Sequence, residues 1–123
     1  MIYLTSGTCP KEYNVSVSGA VRKIHKNIAG VYVKGSGLIH ENPYWVREGV
    51  QSVGSVVLAV TEGHWSLTEK SHFYARNMDP ALAPCPTGLK WHYSTKTTGD
   101  INWKGVPAGE ELKVEPYNSG NLF

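Results

Sequence analysis

The chain has 123 residues, 12 Lys and Arg against 10 Asp and Glu, and 41% hydrophobic residues. That suits one folded domain with a core of its own and argues against a disordered tail. A formal charge of +2, with Lys and Arg scattered, argues against phosphate-driven binding of nucleic acid, and no apolar stretch reaches the length of a membrane span.

Residues 1–12 mix Ile2, Tyr3 and Leu4 with Gly7 and Pro10. They read as a short edge strand followed by a loop. Met1 to Tyr13 lacks the basic and apolar regions of a secretory leader, so the cytosol is the default compartment, which the sequence otherwise leaves open. Tyr13-Asn14-Val15-Ser16-Val17-Ser18 alternates strictly and reads as a half-buried strand. Residues 20–29 admit two readings. Val21, Ile24 and Ile28 have helical spacing, with Ser18 placed to cap and Gly30 to terminate. The other reading is an irregular connection carrying Arg22, Lys23, His25 and Lys26, and it is preferred because so short a helix is marginal by itself. Val31-Tyr32-Val33 is a strand ended by Gly35-Ser36-Gly37. After Leu38-Ile39-His40, the run Pro43 to Arg47 is another, with Pro43 at a first position where its missing N–H is tolerated.

The rest of the chain is organised around residues 54–67. Val56 to Val60 is the longest apolar run, Thr61-Glu62-Gly63 is a turn signal, and His64-Trp65-Ser66-Leu67 alternates. This predicts a β-hairpin whose first strand is buried on both faces. Phe73 to Arg76 is a further strand. Asn77 to Gly88, with three prolines, is irregular and the longest such stretch; a plain Pro-stiffened connector is the first reading and a functional loop the alternative. Leu89 to Ser94 alternates with Trp91 and Tyr93 on one face. Thr97 to Asp100 is a turn, Trp103 is expected to plug an end of the core, and Leu112 to Glu115 closes the sheet before a frayed end over 117–123. The fold class is all-β: an antiparallel meander of seven to nine short strands, closed or half closed into a barrel or sandwich, with at most one short helix.

Five histidines, His25, His40, His64, His72 and His92, lack the close spacing of a metal site, and neither a metal nor another cofactor is expected. Cys9 and Cys85 are the only cysteines; two reduced thiols are the preferred reading, one bridge to the Pro-rich loop the alternative. Asn14-Val15-Ser16 matches a glycosylation acceptor, which matters only in a secreted protein. No Gly-x-Ser-x-Gly is present, Ser66 and Ser71 each lie near a histidine on the wrong face, and a dyad of Cys85 with a distant histidine is less favoured than a packed loop thiol.

Aromatic residues carry the strongest functional signal. Trp65 shares a side with Leu67 and belongs to the core, and a core role is also the first reading of Trp91 with Tyr93, with a stacking face as the alternative. Tyr44 and Trp45 are adjacent on a strand, so one of them points outward. The candidate ligand contacts are Tyr44, Trp45, Arg47, Arg76, Trp91 and Tyr93. They suggest a non-catalytic recognition module that binds a protein partner or glycan through aromatic strand faces and the 77–88 loop, without nucleic acid or membrane and with the oligomeric state open. The alternatives are a small hydrolase or metal enzyme using His64, His72 and His92, and a structural spacer without ligand.

The motif order adds a resemblance. Val17-Ser18-Gly19-Ala20, Gly30-Val31-Tyr32, Asn42-Pro43-Tyr44-Trp45, Trp65-Ser66-Leu67, Phe73-Tyr74 and the Pro84, Pro86, Gly88, Trp91 series follow one another over residues 13–95. This order resembles a small β module of about 100 residues, the size of an ordinary domain, often repeated in large multidomain eukaryotic proteins of protist type. The chain departs from that pattern at Ala29, where Asn is usual, and at Trp45, where Tyr is usual. The resemblance implies a structural or binding module that accompanies other domains, and it supplies no catalytic residues.

Overall fold

A computed structural model describes residues 9–48, 56–70, 72–78, 83–96, 101–106 and 112–117. In chain order the elements are β1 (Glu12–Val17), helix α1 (Gly19–His25) running into a 3-10 turn (Lys26–Ile28), β2 (Gly30–Lys34), β3 (Trp45–Arg47), β4 (Val57–Thr61), β5 (His64–Glu69), β6 (His72–Asn77), β7 (Trp91–Ser94), β8 (Trp103–Gly105) and β9 (Leu112–Pro116). The expected edge strand at 2–4, Gly54 and Ser55 of the organising stretch, Ser71, residues 79–82 of the Pro-rich loop, the turn at 97–100 and most of the frayed end lie outside the described residues.

The hairpin forms as its residues dictate. Thr61 pairs with His64, and Glu62 and Gly63 between them both take positive φ, 53° and 81°. Such a turn matches the right-handed twist of the two strands, and glycine adopts it without steric cost. Leu58, Ala59 and Val60 are buried, as expected for a strand covered on both faces.

From this hairpin the pairing spreads both ways into one sheet, ordered β8-β7-β6-β5-β4-β3-β2-β1-β9. Every pair is antiparallel. β1 to β8 form an up-and-down meander, while β9 returns to the free edge of β1. That return requires curvature. Gly105 and Leu112 are seven residue steps apart (112 − 105), a reach of at most about 25 Å. Eight inter-strand intervals in a flat sheet would hold the two edges roughly 38 Å apart. The sheet curls into a half-barrel accordingly.

The concave side is the core. Trp45, Leu58, Leu67, Ala75 and Tyr93 are paired neighbours across β3 to β7, and all five are buried. Beside this row the Trp45 ring meets Tyr13 edge-on at 4.9 Å and Trp65 at 6.0 Å. A bulge between Leu67 and Thr68 leaves Tyr74 without a ladder partner, so Tyr74 and Ala75 are buried in succession.

α1 closes the mouth of the half-barrel, which corrects the expected irregular connection. Its buried side chains are Val21 and His25, followed by Ile28, while Ile24 faces out. The i, i+4, i+7 stripe is stabilised by burial rather than by local propensity, which is why seven residues suffice. His25 spans the mouth: its Nε2–H donates to the Ser94 carbonyl at 2.6 Å. Burial favours the neutral imidazole and pushes its pKa below the ordinary histidine value. The unfolded chain therefore binds a proton more readily than the native one below about pH 6.5, and stability falls as pH drops through that point. Urea midpoints measured at pH 7.5 and pH 5 check this: a lower midpoint at pH 5 is expected, and an equal or higher one contradicts it.

The opposite end is closed by covalent and polar ties. Cys9 and Cys85 form a disulfide, so the reading of two reduced thiols is corrected, and with it the Cys85 dyad. Trp45 Nε1–H donates to the Pro10 carbonyl at 3.0 Å, and Trp65 Nε1–H to the Ala83 carbonyl at 2.9 Å. Tyr13 and Thr87 share a hydroxyl hydrogen bond of 2.6 Å. Two buried indoles thus satisfy their only donors on the two segments that the disulfide joins. Leu38 to His40 makes only an isolated bridge, Ile39 to Asn42. No helix among the described residues is long and apolar enough to cross a membrane.

Candidate functional site

The convex face of the sheet carries the opposite parity. Ala59, Ser66, Arg76, His92 and Gly105 are paired neighbours across β4 to β8. Because side chains alternate along each strand, putting Trp65, Ala75 and Trp91 inside puts Ser66, Arg76 and His92 outside. On this face a cavity of about 460 Å³ is lined by Thr61, Glu62, Ser66, Phe73, Arg76, Ile101 and Trp103. Its size lies in the range of small-ligand pockets.

Arg76 is the one cation among the described residues that line it. The guanidinium carbon sits 4.6 Å from the centroid of the Trp103 ring. Arg76 Nε and His92 Nδ1 are buried polar atoms without a hydrogen-bond partner among the described residues. His92 is held below the ordinary histidine pKa, first by burial and then by the charges of Arg76 and His64. The site is anchored from behind. Asn77 Oδ1 accepts from the Trp65 backbone N–H at 2.8 Å, and the Asn77 carbonyl accepts from His64 Nδ1–H at 2.9 Å. Ser66 donates its hydroxyl to the His64 carbonyl at 3.0 Å, which leaves its oxygen free only as an acceptor.

Of the six expected ligand contacts, the structure brings only Arg76 to this cavity. Trp45 is fully buried, and Trp91 and Tyr93 are each 4% exposed, so Trp45 is corrected from a contact to core, and Trp91 and Tyr93 take the core reading rather than the contact one. The cause is register: the inner parity is shared along the whole sheet, and aromatic area is worth most where it leaves water. Tyr44 is the outward member of its pair and half-buried. Its ring occupies the space above Gly35, where any Cβ would lie 2.2 Å from the ring. Arg47 points elsewhere and donates from Nη1 to the Asn27 carbonyl. Trp103 was expected to plug the core, but it lies on the convex face over Arg76. Thr61, Ser66, Phe73 and Ile101 were not singled out from sequence. Ser66 and Arg76 were legible in principle, since both lie on the polar side of strands whose apolar side was recognised.

A second polar cluster lies near the helix. Asn27 Nδ2–H donates to Tyr74 Oη at 3.2 Å, and Tyr74 O–H donates to Glu69 Oε1 at 2.8 Å. Burial and then the Glu69 hydrogen bond push the Tyr74 hydroxyl up. Ser94 and His25 are in contact at 3.2 Å, yet Ser94 donates to the Phe73 carbonyl at 2.6 Å and is fully buried. With the His25 proton directed at a carbonyl, this pair ties α1 to the sheet and lacks the free base that a nucleophile needs. His64 and His72, which the alternative enzyme reading would bring together, start antiparallel neighbours and lie at opposite ends of β5, since Glu69 pairs with His72. Five residues of strand separate them by about 16 Å. Among the described residues no group of three His, Cys, Asp or Glu is placed to hold a metal ion.

Comparison with protein-family models, with curated proteins and with solved structures gave no match.

Proposed function

We propose that this domain is a recognition module that binds a glycan in the convex-face cavity between β4 and β8. The observation that carries the reading is the arrangement of Arg76 over Trp103 in that cavity, whose lining joins Thr61, Glu62 and Ser66 with two aromatic rings. A sugar presents C–H faces that suit Phe73 and Trp103, and hydroxyls that suit Ser, Thr, Glu and Arg. The cavity volume fits one or two sugar rings better than a protein footprint, which needs a broad surface of about 800 Å² per partner. The rigid sheet beneath holds these groups in place before ligand arrives, which lowers the ordering cost of binding.

A glycan array followed by calorimetry tests this. Binding to at least one oligosaccharide class is expected, with a loss of about tenfold or more in Trp103→Ala, the scale of one stacking anchor. Tyr44→Phe, remote from the cavity, is expected to bind like wild type. A silent array alongside capture of a protein through the same face would replace the glycan with a protein partner.

A further inference from the structure

Resting on the glycan reading, we infer that the saccharide bound by this domain is acidic, with a ring carboxylate that docks on Arg76. The guanidinium carbon lies over the Trp103 ring at 4.6 Å from its centroid, a cation–π contact that engages the charge of Arg76 and supplies no hydrogen-bond acceptor oxygen to its N–H donors. The contact holds the cation in the cavity while its demand for anionic oxygen acceptors stays unmet. No hydrogen bond or ion pair to Arg76 is formed among the described residues, and its buried Nε has no acceptor. A half-buried guanidinium with unmet donors is complemented best by a planar pair of anionic oxygens, which is a carboxylate. Neutral hydroxyls alone leave its charge uncompensated.

Two neighbours shape this preference. His92, paired with Arg76 across the ladder, is biased towards its neutral form and so adds no second fixed charge. Glu62 lines the same cavity from the exposed hairpin turn and opposes an anion, but at the solvent-facing rim, where screening weakens it. The two side chains select in opposite directions: Arg76 draws the carboxylate in, and Glu62 accepts from the hydroxyls of the same ring.

The test is an array of uronate-containing oligosaccharides beside their carboxyl-reduced neutral counterparts, with calorimetry on the best pair. Wild type is expected to prefer the acidic member by about tenfold or more, as for a charge-assisted bidentate contact. Arg76→Gln is expected to bring the two within about twofold, and Glu62→Gln to raise affinity for the acidic member severalfold. Equal binding of acidic and neutral members by wild type overturns this inference and leaves the glycan reading intact. Binding of neither overturns both. If Arg76→Gln fails to fold by thermal melt, the wild-type comparison and Glu62→Gln still decide.

Discussion

Replacing Cys9 and Cys85 together by serine is expected to lower the unfolding free energy by about 4 kcal/mol, the chain-entropy value for a cross-link closing a long loop. The bridge spans 76 residues of sequence, so the unfolded chain gains much freedom when it is cut. The native state also loses order at one end of the core. Pro10 and Ala83, whose carbonyls accept from the indoles of Trp45 and Trp65, flank the bridged positions. The double variant should therefore show a red-shifted tryptophan emission under mild denaturant, before the sheet melts. Guanidinium titration of the oxidised protein, the reduced protein and the double variant measures the effect. A change below about 1 kcal/mol would mean that the unfolded chain is already constrained, contrary to the loop-closure argument. Domains of this kind have about 5–15 kcal/mol in total, so the bridge is a large share of it. A stability that depends on a disulfide is kept only where thiols stay oxidised.

The second large effect is at Trp45. Trp45→Ala is expected to cost about 4 kcal/mol, in the range for deleting a large buried aromatic. The ring is fully buried between Tyr13 and Trp65, and its removal leaves a cavity that the sheet backbone cannot collapse to fill. Trp45→Phe keeps most of the apolar area but leaves the Pro10 carbonyl without its donor, and about 1–2 kcal/mol is expected for that change. Urea denaturation of both variants, paired with the array above, separates packing from recognition. Trp45→Phe should bind glycan like wild type, since the ring is on the concave side. Altered specificity in that variant would return Trp45 to the contact surface.

The hairpin and the alternating segment at 91–94 were readable from an apolar run ended by a glycine turn and from a period of two, while the strand read at Phe73 to Arg76 is interrupted by a bulge that buries Tyr74 and Ala75 in succession. The helix was not readable in this way. Val21 and Ile28 signal it, but its third anchor is His25, a residue whose burial depends on Ser94, distant in sequence, offering a carbonyl. The disulfide stood only as the second reading for a similar reason: two cysteines 76 positions apart carry no distance information until the sheet brings 9 and 85 together. At the site, choosing aromatics as contacts favoured Trp45, Trp91 and Tyr93, the residues with most to gain from leaving water.

Alternation by itself determined that this chain is a β-sheet and which residues share a side, because strand geometry is local. Which side became the interior, how far the sheet curled and where Arg76 met Trp103 were decided only when β9 returned to β1 and the helix closed the mouth. Those outcomes depend on contacts between residues far apart in the chain, and such contacts leave no periodic trace in the sequence.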